Sequence, residues 1–183
     1  MTIREIIEED YKRYNLGRGG VTTGKIIKAF FDTLSETRTL SYVITLRICN
    51  ELDRKGHKIL LQPFRLRLRR LQLKFGIEIS YKSNIGAGFK IAHGNGIVIH
   101  PNVVIGKNCS ILQQVTIGNN IRKSRNDVAV IGNEVYIGAG AKIIGPVKIG
   151  DKVTVGANSV VTHDIVSNSV VAGIPAKYLE VNE

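Results

Sequence analysis

Tryptophan is missing from this chain and aromatic side chains make up only 6% of it, which points away from a ring-dominated core and toward an aliphatic one. Cysteine is nearly as scarce. Cys49 and Cys109 form neither a disulfide framework nor a metal-ligand spacing. With no secretory apolar segment at the start, the pair suits a reducing, cytoplasmic setting. No apolar run is long enough to span a bilayer. Lysine and arginine are plentiful and the net charge is +11, yet they are not interleaved with stacking aromatics and match no nucleic-acid motif. Nucleic acid is therefore not an expected partner. At 183 residues and 43% hydrophobic, the chain can bury a real core.

What it does contain is a strict period. From Ile131 an aliphatic residue returns every sixth position: Ile137, Ile143, Ile149, Val155, Val161. Four residues after each stands another small or aliphatic side chain, as at Val135, Ala141, Val147 and Val153. An α-helix needs a spacing near 3.6, and an ordinary strand alternates briefly and turns, so neither keeps six over this length. The hexad predicts a parallel β-helix, an all-β solenoid with one short strand per repeat. Ile99, Ile105, Ile111 and Ile117 form a second run, with Cys109 at an inner position where a thiol packs rather than reacts; Ile79, Ile85 and Ile91 form a third. The step from Ile91 to Ile99 is two residues too long, and the excess falls in Ala92-His93-Gly94-Asn95-Gly96. The step from Ile117 to Ile131 is eight too long, and the excess is a polar, basic stretch from Asn119 to Asp127. A solenoid absorbs extra residues only by extruding them, so both loops are candidates for the working surface.

Residues 1–77 read as an α-helical leader and cap, residues 78–166 as the β-helix, and residues 167–183 as a tail packing along its outside, since Gly173 and Pro175 break the period. The Gly17-Arg18-Gly19-Gly20 stretch separates a first short helix from a second near Thr22 to Thr33. Leu61, Phe64, Leu68, Leu71 and Phe75 line one helix face, with Arg65, Arg67, Arg69, Arg70 and Lys74 largely on the others. The leader carries 16 − 8 = +8 of the charge and residues 78–183 carry 10 − 7 = +3. Such a helix can be simply solvated, or can hold the protein against anionic lipid at the inner face of the membrane. A β-helix also exposes unpaired strand edges, so the leader is expected to cover the first coil.

Four motifs in order, Ile91-Ala92-His93-Gly94-Asn95-Gly96-Ile97-Val98, Ser110 to Gly118, Ile137 to Ile143 and Ala172-Gly173-Ile174-Pro175-Ala176-Lys177, carry a further resemblance. From Phe75 to Leu179 the chain resembles the catalytic domain of serine acetyltransferases and of related O-acetyltransferases of capsule and exopolysaccharide biosynthesis. The resemblance implies a left-handed β-helix, a homotrimer, and acetyl-CoA bound between neighbouring subunits. It places His93 as the general base: a neutral imidazole takes a proton from an alcohol attacking the thioester, with no covalent enzyme intermediate. Glu78 aligns with an aspartate that orients this histidine, and keeps the carboxylate with one more methylene. Gly118 and Asn119 align with a turn along the pantetheine arm, and Ala139 and Ala157 with backbone that bonds the arm; outside the resemblance, Lys177, after the Gly-Ile-Pro turn, and Lys142 are cations that can meet the nucleotide phosphates or be simply solvated.

One departure bears on the acceptor. Where the serine enzymes carry an Arg-His pair that helps hold the amino acid, this chain has Asp127 and Val128, neither of which can pair with a carboxylate. The expectation is therefore a sugar hydroxyl of a surface polysaccharide or its precursor, a saccharide acceptor, with L-serine as the alternative. No metal is expected. A hydratase-type zinc site wants three histidines meeting between subunits; of His57, His93, His100 and His163, the first lies in the leader and the ligand spacing is absent.

Overall fold

The computed structural model describes residues 1–14, 20–35, 37–120 and 127–180. The expected breaker at Gly17 to Gly19, the inner position Ile121 and the loop residues 122–126 lie outside the described residues. Four helices come first: α1 (Ile3–Arg13), α2 (Thr23–Phe31), α3 (Arg38–Arg54) and α4 (Lys58–Phe75). Short strands follow in chain order: β1 (Ile77–Ile79), β2 (Asn84–Ile85), β3 (Lys90–Ile91), β4 (Ile97–Ile99), β5 (Val104–Ile105), β6 (Ser110–Ile111), β7 (Thr116–Gly118), β8 (Val130–Ile131), β9 (Tyr136–Ile137), β10 (Lys142–Ile144), β11 (Lys148–Ile149), β12 (Thr154–Val155), β13 (Val160–Val161), β14 (Val170–Ala172) and β15 (Lys177–Tyr178).

The hexad is realised strand by strand. Through β13 every third strand stacks in parallel on the one before, and β14 then stacks on β12, giving a first face β1-β4-β7-β10-β13, a second β2-β5-β8-β11 and a third β3-β6-β9-β12-β14. The chain thus winds a left-handed parallel β-helix. Register is in phase throughout: Ile79 pairs Ile99, Ile99 pairs Ile117, Ile117 pairs Ile143 and Ile143 pairs Val161. These side chains are 0–2% exposed, so the stacked aliphatic positions fill the prism. Two corners turn through left-handed residues, Asn108, Glu134, Lys152 and Asn168 in one column and Gly76, Gly96, Gln114, Gly140 and Asn158 in the other. Asparagine and glycine tolerate that conformation best, which is why they recur at a fixed distance from the aliphatic positions.

The open edge beneath the first coil is closed by side chains of the leader. Arg47 of α3 donates to the carbonyls of Ile85 and Gly86, and Asp10 of α1 accepts from the Phe89 amide at 2.8 Å. Tyr14 accepts from the Ile91 amide at 3.0 Å, and Thr39 donates to the Ile91 carbonyl at 2.7 Å. Tyr42 and Gln72 donate to the Ile79 carbonyl at 3.3 and 3.1 Å. Backbone groups that would pair with a coil below are thus satisfied, as buried polar groups must be. This work falls mainly to α3, whose residues Leu40, Tyr42, Val43 and Cys49 are fully buried.

Helix α4 packs through Leu61, Leu68, Leu71 and Phe75. Its arginines are not all solvated. Arg67 hydrogen-bonds Thr45, Ser41 and the Phe30 carbonyl and lies 4.1 Å from the centre of the Phe30 ring. No described helix is long and apolar enough to cross a membrane.

The end of the solenoid differs from expectation. The step from Val161 to Ile165 is two residues short, but six-residue spacing resumes from Ile165 to Val171. Ile165 accordingly bridges Ile149, β14 pairs in parallel with β12, and Val171 is fully buried. The chain leaves the coil only at Gly173, where φ is +99°, and β15 returns antiparallel along β14.

Candidate active site

Hydrogen bonds locate the two excess residues of the histidine loop. One coil up, Leu112 donates to Ile137 and the next residue, Gln113, accepts from Gly140. In the loop the equivalent donor is Ala92, bonded to Ile111, and the equivalent acceptor is Asn95, bonded to Gln114. His93 and Gly94 stand between them, so the insertion is this pair. The corner bulges there and leaves His93 exposed. Gly94 seats the bulge: a Cβ at this position would lie 3.2 Å from both Cβ and the carbonyl oxygen of Phe75. The foot of the loop, Ile91, is the residue that Tyr14 and Thr39 hold from below.

The same corner continues upward through Gln113, Ala139 and Ala157. Ala139 accepts from the Asn158 amide at 2.8 Å, tying the two upper turns together. Lys142 stands at the start of β10 and donates to the Gln114 carbonyl on this corner. Lys177 is exposed and pairs with Ala172, just past the corner's top. His93, Ala139, Ala157 and Lys142 therefore share one edge of the prism, with Lys177 above it. At roughly 4.8 Å per coil, the strip from His93 to Ala157 is about 14 Å long. Its turns are low because a side chain on Gly138 would meet the Ala157 amide nitrogen at 2.7 Å. Gly118 and Asn119 are not on this strip. They lie at the opposite edge of the first face, where the Gly118 carbonyl accepts from Gly145.

Glu78 points outward from β1, with Val98 of β4 as its strand partner. It makes no hydrogen bond to His93. Instead it lines a cavity of about 440 Å³ between the first face and α4, together with Arg69, Gln72, Gly76, Ile97 and Val98. Two of these features were not legible beforehand. The side-chain oxygen of Gln113, on the histidine corner, is buried with no partner among the described residues, and Arg69 reaches the cavity only because α4 lies across the first coil. Cys109 is buried, and desolvation pushes its thiol up to about 11, which keeps it protonated and unreactive at neutral pH. No group of three or more His, Cys, Asp or Glu able to hold a metal occurs among the described residues.

Residues 129–163 match the family model for the bacterial transferase hexapeptide (six repeats). The chain is 38% identical over 108 residues to a serine acetyltransferase of Synechococcus elongatus, covering 59% of this chain and 44% of that protein. It spans less than half the length of the curated relatives it matches. A solved serine acetyltransferase in complex with cysteine superposes with a TM-score of 0.76 at 27% identity, covering 97% of this chain and 70% of that one. A second, in complex with CoA, gives 0.74 at 25% identity over 97% and 69%. In sequence and fold the chain is serine acetyltransferase-like.

These similarities correct the expected acceptor. The relatives carry the name serine acetyltransferase, so the assignment to capsule or other surface polysaccharide, with a saccharide acceptor, is overturned. That expectation follows from Asp127 and Val128. Val128 packs against the core and Asp127 faces solvent. What these two positions lack does not exclude a carboxylate contact made from another element.

Proposed function

We propose that this protein transfers the acetyl group of acetyl-CoA to the hydroxyl of L-serine. The observation that carries the reading is the histidine bulge at the foot of a low, 14 Å strip of backbone, by the roughly 4.8 Å coil spacing, on a scaffold similar to serine acetyltransferases. The strip suits an extended pantetheine arm, whose amides can bond the exposed turns at Ala139 and Ala157. The unpartnered Gln113 oxygen is an acceptor for one of those amides. Lys177 and the Lys142 ammonium supply positive charge beside it for the nucleotide phosphates.

His93 takes the proton of the serine hydroxyl as its oxygen attacks the thioester carbonyl. The tetrahedral intermediate collapses, the C–S bond breaks, and the imidazolium returns the proton to the CoA sulfur. O-acetylserine and CoA leave. Gly118 and Asn119, on the far edge of the same face, join the coenzyme site when a neighbouring copy brings that edge to the histidine corner of its partner, which makes the working unit a homotrimer.

Release of free CoA thiol on mixing the protein with acetyl-CoA and L-serine tests this directly. His93→Ala is expected to lower the rate about 10²–10⁴-fold while the circular dichroism spectrum and melting temperature stay unchanged. No thiol release by the unaltered protein, or full activity in His93→Ala, would overturn the assignment.

A further inference from the structure

Among the residues lining the cavity between α4 and the first coil, Arg69 and Glu78 alone are charged, and they have opposite sign. The remaining wall is apolar or neutral, through Gly76, Ile97, Val98 and Gln72. Neither charged group is spent on the protein itself. Arg47 is buried against Asp10, Arg54 pairs with Glu51, and Arg67 is bonded within the leader, whereas neither Arg69 nor Glu78 has a hydrogen bond or ion pair among the described residues. The cavity adjoins the histidine bulge. Gly76, in the cavity wall, lies against the histidine loop, where a Cβ built on it would come within 3.1 Å of the Asn95 side-chain oxygen and 3.2 Å of the Gly96 amide nitrogen. A free cation and a free carboxylate in one small cleft beside a base match the two ends of a zwitterion.

We propose that Arg69 holds the carboxylate of the acceptor amino acid and that Glu78 faces its ammonium group, so that the hydroxyl is presented to His93. The inference rests on the serine reading above. It supplies, from the leader helix, the carboxylate contact that Asp127 and Val128 cannot make, and a guanidinium offers two parallel donors for it. It also moves Glu78 from orienting His93, to which it has no hydrogen bond, to specificity.

The test uses the full chain, with kcat and KM for L-serine and inhibition by two competitors that each lack one charge, ethanolamine and 3-hydroxypropanoate. Arg69→Ala is expected to raise KM for serine about ten- to a hundredfold and to weaken 3-hydroxypropanoate equally. Ethanolamine inhibition and KM for acetyl-CoA should not change, and Arg69→Lys should regain part of the loss. Glu78→Gln should weaken serine and ethanolamine but not 3-hydroxypropanoate; a fall in kcat with a shifted pH profile, with both competitors bound as before, would instead mark Glu78 as acting through His93 and overturn its place here. Unchanged discrimination between the two competitors in Arg69→Ala overturns the clamp while leaving serine transfer intact. Absence of serine turnover in the unaltered protein overturns the parent reading and the clamp with it.

Discussion

His93 stands clear of the solenoid because two residues, His93 and Gly94, exceed what the corner can hold. Gly94 is the less visible half of that device. A methyl group there would press on the Phe75 backbone and Cβ at 3.2 Å, closer than carbon atoms sit comfortably, and the loop rather than α4 is free to yield. Gly94→Ala is therefore expected to cost about 1 kcal/mol of stability yet to lower thiol release with L-serine at least tenfold, measured beside a denaturant melt. Equal activity would show that the bulge tolerates displacement. The histidine was legible in the sequence because the excess interrupts a strict hexad. Arg69 was not, since nothing in its own helix distinguishes it from Arg65 or Arg70; only the crossing of α4 over β1 gives it a cavity.

Helices of the leader act on the solenoid through polar side chains as much as through apolar faces. The pair Asp10–Arg47 is the clearest case, with a 2.8 Å contact and both side chains almost wholly enclosed. Asp10→Ala would leave Arg47 buried without its counter-charge and orphan the Phe89 amide, so a loss of about 3–5 kcal/mol is expected in urea unfolding. Burial raises the Asp10 carboxyl above its ordinary range, and Arg47 opposes that rise. A raised folded value means that the carboxyl's contribution is fullest at low pH and falls as pH climbs through that value. The difference in stability between Asp10→Asn and the unaltered protein should therefore move in favour of the asparagine variant as pH rises above the ordinary carboxylate range. A flat difference would show that the Arg47 charge offsets the effect of burial. The amphipathic pattern of α4 was readable from Leu61 to Phe75, but α3 was not. Its residues Leu40 to Cys49 are buried almost all round, and a helix enclosed on every side has no hydrophobic stripe to detect.

At the scale of the molecule, the coils stack in register and carry a strip on one edge and Gly118 with Asn119 on another, so a single copy cannot bring all of them to one ligand. Sedimentation equilibrium is expected to give three times the chain mass of 20.1 kDa, and dilution that produces monomers should abolish thiol release in parallel. A fully active monomer would sink the shared site. The chain's own order of residues determined the solenoid, its interruptions and the position of the histidine bulge, because a one-dimensional stack writes each coil as a repeat and each departure as a miscount. Only the tertiary structure decided which backbone groups the leader satisfies, how far the last coil runs, and that Arg69 from α4 and Glu78 from β1 line one cavity. Those contacts join residues that are distant in the chain and share no period, so their proximity exists only once α4 has settled across the first turn.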